Sequence, residues 1–295
     1  MGPPPAESAA PPKKRRRRVG WIITVTLLGL MLIGVGVVLA LTLIRLNEAL
    51  EVIDEQKDLI DRKDTFSTSM QKLVDQTTGF EGVTVGDVVP EDQIRLLAAR
   101  GYRNRWDADA MTSVTAEVDD LTQQLAGTLA AADEQKATNS SKSAYEAVID
   151  KLGGGFALTK IDNADKLCKQ DVLGCVTSDD PYTVHIDKAD TTQPFMTTFI
   201  QKGIAYHEFA HVLQYTHPAE SDTAAEAFKG DYEKMADCFA LTYLKGWKLH
   251  HTVYVTTYSY YEVDIGYGYT CNAKQKQVIR DWYEGLGYTA SDVSQ

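Results

Sequence analysis

His207-Glu208-Phe209-Ala210-His211 lies inside an apolar run, and its reading decides the rest of the chain. On an α-helix, residues four apart leave the same face one turn apart. Both imidazoles can therefore address one metal ion while Glu208 stands beside them, the arrangement of a zinc hydrolase. With 6 His in 295 residues, chance matches to the pentapeptide number about 0.01 per chain of this composition. The surroundings have to decide whether it is meant.

Two imidazoles do not complete a catalytic zinc shell, which takes three protein ligands and leaves one position open for water. His217, six residues beyond His211, has the outer spacing of HExxHxxGxxH, but Gln214 stands where that motif needs a glycine to turn the chain out of the helix. Glu233, in Asp231-Tyr232-Glu233-Lys234-Met235-Ala236-Asp237, is the stronger choice. Gly230-Asp231 starts a second helix whose buried face is Met235, Phe239, Leu241 and Leu244, with Glu233 and Asp237 one turn apart. Glu233 facing His207 and His211 gives a His2Glu shell, and Asp237 can fix the tautomer of a ligating His. Glu220, Glu226 or no metal at all are the remaining readings.

HEFAHVLQ (207–214) followed by EKMADCFA (233–240) resembles the HExxH plus ExxAD signature of the gluzincin branch, and most closely the neutral zinc metallopeptidases of bacteria. QKQVIRDWYEG, within 272–285, resembles that family's closing helix. The resemblance covers 183–288. It implies an α+β, zincin-like metallopeptidase domain, mostly helical with a small sheet. It implies His207, His211 and Glu233 as ligands of Zn2+, Glu208 as catalytic base and Asp237 as the carboxylate that orients a ligand.

Charge is distributed unevenly. Residues 1–18 hold Lys13, Lys14 and Arg15 to Arg18 against Glu7, a net +5 that leaves −16 on the rest of a chain of net −11. A body this acidic is a poor partner for nucleic acid. Val19 to Ile44 contains no charge and as a helix spans roughly 39 Å, enough for a hydrocarbon core of about 30 Å. A cleaved signal peptide has a shorter apolar region, of about 7 to 15 residues. The basic cluster before the span places residues 1–18, rich in Pro and Ala and read as disordered, in the cytoplasm, and everything after Arg45 outside. The expectation is a single-pass protein of the cell membrane with an extracellular C-terminal body.

Past the span, 45–142 reads as a membrane-proximal helical stalk. Leu46, Ile53 and Ile60 recur at seven, but Ala49, Gln56 and Lys63 leave the companion seam without apolar residues, so at most a weak stalk-mediated oligomer is expected. Gly79 to Pro90 is a breaker-rich connection or short hairpin. Helix returns over 91–97 and 107–132, with Met111, Val114, Val118, Leu121, Leu125 and Leu129 on one face. Asp133 to Ser143 reads as a polar linker, in which Asn139-Ser140-Ser141 fits a glycosylation acceptor. The catalytic body is placed at 143–295. It opens with a helix from Ser143 to Leu152 closed by three glycines, then strands at 156–161 and 182–186. Tyr182 to Asp187 is the candidate edge along which an extended substrate would lie.

Cys168, Cys175, Cys238 and Cys271 all fall on the exported side, where disulfides persist. Three connectivities exist and sequence does not choose; proximity makes Cys168 with Cys175 the easiest loop, leaving Cys238 with Cys271. A transition state for peptide hydrolysis also needs an oxyanion donor. Tyr254, Tyr258, Tyr260, Tyr261, Tyr267 and Tyr269, preceded by His250-His251, offer several without singling one out. The expected function is hydrolysis of a peptide or protein substrate by zinc-activated water with Glu208 as base. The alternative is a zincin-like, membrane-tethered binding or assembly protein without activity.

Overall fold

The structure, a computed structural model, describes residues 16–168 and 172–290. Of the basic tail read from sequence, residues 1–15 lie outside the described residues, and helix α1 (Arg16–Thr77) already begins within the rest of it. By length and composition α1 can cross a membrane. Its apolar side chains, Leu32 and Leu39 among them, are exposed. Contacts divide the chain into Met1–Arg62 and Lys63–Gln295. The second unit therefore starts about 80 residues before the boundary expected at 142/143, and most of the supposed stalk belongs to it.

The reason is packing. After α1 come α2 (Glu91–Arg103) and α3 (Ala108–Thr138). Leu73 of α1, Ile94 and Leu97 of α2, and Val114, Val118 and Leu121 of α3 form a buried cluster. Gly101 lets α2 approach α1, since a Cβ there would run into the Phe66 ring. The apolar recurrence on α3 is thus a core face. Segment 79–90 forms a 3-10 turn and loops rather than a hairpin. Gly82 N–H donates to Tyr288 O and Tyr288 N–H to Val83 O, tying this segment to the C-terminal end. Phe80 meets Phe156 at 5.5 Å, joining the first cluster to the larger core.

α3 continues six residues beyond Ala132, so most of the expected linker is helix. Asp133 and Lys136 pair on its outer face while Ala132 is buried, which is why the stretch reads as polar. The true loop is 139–143. It closes on α4 (Ala144–Gly153), capped by the Ser143 hydroxyl and ended by Gly154 in the left-handed region. Glu146, fully buried on α4, accepts hydrogen bonds from the Ser140 and Ser141 amides and both hydroxyls. Gln135 reaches both Glu146 and Asp150, joining α3 to α4.

β1 (Leu158–Asp162), α5 (Ala164–Leu167), β2 (Gly174–Thr177) and β3 (Asp180–Asp187) follow. The sheet order is β1-β3-β2, with β1 parallel and β2 antiparallel to β3. The strand expected at the edge, 182–187, is therefore central, and Thr183 to Asp187 are buried. β2 is the edge strand on the side opposite β1. It is too short to show alternation and is held by the Cys168–Cys175 disulfide.

α6 (Thr198–Thr216) packs on the sheet and on α4, and α7 (Pro218–Ala225) follows directly. α8 (Tyr232–Tyr243) lies against α6, and the hairpin β4 (His250–Thr256) with β5 (Ser259–Asp264) leads to α9 (Ala273–Gly285), which has a full capping box at Asn272 and Gln275. The described chain is mostly helical, with a small three-stranded sheet and a two-stranded hairpin.

Burial raises the carboxyl of Glu146, but the hydrogen bonds from Ser141 and Ser140 outweigh it and hold the group below its ordinary value. Such a group stabilises the fold above its unfolded pKa, and that contribution is lost as pH falls through the folded pKa. Glu146→Ala should cost on the order of 3 kcal/mol at neutral pH. Thermal melts between pH 3 and 7 should show the wild type losing more stability on acidification than Glu146→Gln; equal losses would refute the assignment.

Candidate metal centre

α6 starts with the Thr197 hydroxyl accepting from Ile200 N–H, and its buried face carries Ile200, Ile204 and Leu213. Gly203, one turn before His207, lets the Trp247 indole reach the helix backbone, a contact that any Cβ would block. α8 starts where Lys229 and Gly230 turn through positive φ and Asp231 caps Lys234 N–H at 3.1 Å. Phe209 and Phe239 meet between the two helices at 6.3 Å. This packing turns Glu233 and Asp237 of α8 toward His207 and His211 of α6.

His207 Nε2, His211 Nε2 and Glu233 Oε2 then form a triangle with all three edges 3.2 Å. Each imidazole is oriented from behind. His207 Nδ1 donates to Asp237 Oδ1 at 2.9 Å, and Asp237 is buried. His211 Nδ1 donates to Gln214 Oε1 at 2.7 Å; Gln214 Nε2 donates to Tyr232 O at 3.1 Å, which fixes the orientation of the amide. With both Nδ1 atoms protonated, both Nε2 atoms turn lone pairs toward each other and toward a carboxylate. That arrangement requires a positive charge at its centre.

A proton or a metal ion can supply the charge, and the geometry fits the metal. A triangle with 3.2 Å edges is one face of a tetrahedron whose centre lies about 2.0 Å from each corner, the bond length of zinc to imidazole nitrogen or carboxylate oxygen. His207, His211 and Glu233 form a metal-capable group. Burial pulls the His207 ring down, but the Asp237 and Glu233 carboxylates outweigh it and hold the ring at about 10. Burial raises the Glu233 carboxyl, yet its bonds to the two imidazoles hold it well below the usual range.

The cluster opens onto a cleft of about 720 Å³. One wall is β2, and the other runs from Val263 to Tyr267. Glu208 projects into the cleft, its carboxyl buried and Oε2 without a hydrogen-bond partner. Desolvation raises its pKa, opposed by the two imidazoles. Gly174 of β2 makes the room: a Cβ there would sit 3.1 Å from Glu208 Oε1. Tyr267 closes the opposite side. Its ring stacks on His207 at 6.3 Å and its N–H donates to Asp237 Oδ2 at 2.8 Å, and burial, with the nearby Glu233 carboxylate, pushes its phenol pKa up. The Cys238–Cys271 disulfide ties the residue after Asp237 to the segment following Tyr267.

All five residues singled out from sequence thus meet at one place, and His217 does not. His217 Nε2 bonds to Thr84 O at 2.9 Å, where it joins the end of α6 to the 79–90 segment. Two partners escaped the sequence. Gln214 was read only as a missing turn glycine, although its position three residues after His211 puts it on the same helical face. Tyr267 was one of six tyrosines, and no local pattern distinguished it. Comparison of the chain with family models, with curated proteins and with solved structures finds no match.

Protein prepared without chelator should carry about one divalent ion per chain by elemental analysis. Glu233→Ala should lose it and His217→Ala should keep it; the reverse pattern would move the third ligand to His217. Because a proton competes for His207 and Glu233, metal affinity should fall as pH is lowered. Titration against a competing chelator measures that slope, and a flat profile would contradict the shell.

Proposed function

We propose that this chain is a zinc metallopeptidase of gluzincin type, anchored in the membrane by α1 and exposing its body outside the cell. The observation that carries the reading is the convergence of three ligand atoms beside an unpartnered carboxylate, Glu208, in an open cleft. A purely structural zinc site is closed by four protein ligands, whereas three donors and a cleft leave a position for substrate or water. The sequence resemblance to neutral zinc metallopeptidases supports the same ligand set. The two disulfides suit an oxidising compartment, and the basic residues preceding the apolar span suit a cytoplasmic N-terminus.

Zinc in this shell supplies a Lewis acid that acidifies a water and favours negative charge on a carbonyl oxygen. The protein's own groups do the rest. Glu208, desolvated and therefore more basic than a surface carboxylate, accepts a proton from the attacking water and hands it to the departing amine. Asp237 and Gln214 keep His207 and His211 in the tautomer that leaves Nε2 free, and prevent either ring from rotating. The Tyr267 hydroxyl, beside Glu233 on the open side, is placed to donate to the oxygen that gains charge in the tetrahedral stage. β2, whose outer edge is unpaired among the described residues, offers an edge with which an extended peptide can pair, and Gly174 lets that peptide come close to Glu208.

Two variants test these roles. Glu208→Gln should retain its metal and fold while losing about 10²–10⁴-fold in peptide cleavage; unchanged activity would leave a non-catalytic, membrane-tethered binding protein as the better description. Tyr267→Phe should lower kcat by about 10²-fold with metal content intact. A fall in metal content instead would make Tyr267 a support for Glu233 and nothing more.

A further inference from the structure

The β4–β5 hairpin gives Val263 and Asp264 to the cleft wall, but its distal half takes no part in the chemistry above. From Thr252 to Tyr261 it carries no charged residue, in a chain of net −11. Tyr258 at the turn is 96% exposed and Tyr254 is 71% exposed; Tyr260 and Tyr261 are exposed as well. Two-stranded ribbons are marginal by themselves, and bare aromatic clusters of this kind mark interaction surfaces. The base of the ribbon is firmly held. Trp247 and Phe199 pack around the His251 ring at 4.6 and 6.0 Å, and Tyr261 meets Phe195, which lines the cleft, at 5.8 Å.

The backbone of the ribbon says what kind of molecule fits. Ile265 N–H donates to Leu249 O at 2.7 Å, and His250 lies opposite Asp264. In an antiparallel ladder this phase makes 251 with 263 and 253 with 261 the hydrogen-bonded pairs, so the amides of Asp264, Glu262 and Tyr260 point away from β4. No third strand joins the ribbon among the described residues. This free edge is continuous with the cleft, because Val263 to Tyr267 form the cleft wall. A polypeptide emerging from the cleft finds strand amides in register and then tyrosine side chains free of charge. A glycan could stack on the tyrosines but has no use for the strand edge, and the acidic body disfavours polyanions.

We infer that the β4–β5 hairpin is a docking edge for extended, uncharged, aromatic-rich polypeptide, which it holds as an added strand while the same chain occupies the metal cleft. The inference rests on the peptidase reading and gives it a substrate class: unfolded protein rather than folded domains or short peptides. A segment engaging both the cleft and the ribbon must be disordered over its whole length, which a folded protein does not offer.

The test uses the full chain in detergent micelles with Glu208→Gln, which binds without turnover, and fluorescently labelled α-lactalbumin, either folded or reduced and carbamidomethylated. Fluorescence anisotropy should show at least tenfold tighter binding of the unfolded form. Tyr254→Ser/Tyr258→Ser/Tyr260→Ser should weaken that binding at least tenfold with metal content unchanged. Tyr258→Asp, at a position too exposed to affect folding, should weaken it by severalfold. With Glu208 restored, the triple variant should lose at least ten times more cleavage of unfolded protein than of a hexapeptide. Unaltered binding in both variants overturns the inference, as does tyrosine-dependent binding of chitohexaose or self-association that replaces binding of the unfolded protein. If the wild type cleaves nothing yet binds unfolded protein through the tyrosines, the peptidase reading falls and the docking edge stands.

Discussion

Three electron-pair donors, His207 Nε2, His211 Nε2 and Glu233 Oε2, are pressed to 3.2 Å from one another. The arrangement is tolerable only around a positive charge, because burying like-polarity atoms without compensation costs several kcal/mol. Much of the body is organised to keep them there. Phe209 and Phe239 lock α6 to α8, the Asp231 cap sets where α8 begins, and Gln214 links the His211 ring to the Tyr232 carbonyl, one residue before Glu233. Packing and the capacity to hold a cation are thus one property. A cation that binds the folded arrangement and not the unfolded chain adds its binding energy to stability.

The cleft around this point is built from segments far apart in sequence, each held by a local device. β2 owes its position to the ladder with β3 and to the Cys168–Cys175 bridge. The segment carrying Tyr267 is held by its amide bond to Asp237 and by Cys238–Cys271. Asp237 therefore serves both sides of the site, orienting His207 with one oxygen and the Tyr267 backbone with the other. Gly266, with positive φ, allows that approach, since a Cβ would collide with the Asp237 carboxylate. Trp247 connects this region to the hairpin: the indole lies on Gly203 of α6 on one side and meets His251 of β4 on the other.

What could be read in the sequence was what depends on local periodicity or on a fixed chemical spacing. Helix was legible over 91–97, 107–132 and 143–152, with three glycines marking the end of the last, although the first two helices run on to Arg103 and Thr138. The ligand pair on α6 and the carboxylates on α8 followed from the four-residue spacing. Strand order did not, because a buried central strand and a half-covered edge differ in their neighbours and not in their own letters. The same holds for 63–142. An amphipathic helix looks alike whether its apolar face meets another molecule or, as here, α1 and α2 of its own body. Gln214 was legible only as an absence of glycine, since the meaning of a polar side chain depends on what it faces.

The amino-acid sequence by itself determined the uncharged span from Val19 to Ile44, the acidic balance of the rest, and the residue types and spacings that allow a His2Glu shell. These are properties of composition and of the 3.6-residue turn, and they survive without knowledge of any long-range contact. Only the tertiary structure decided that Glu233 and not His217 completes the triangle, that β2 and not β3 borders the cleft, and that Tyr267 alone among the six tyrosines reaches the ligands. Each of those choices is a matter of which distant surfaces meet, and that is settled by core packing, disulfide closure and strand pairing acting together.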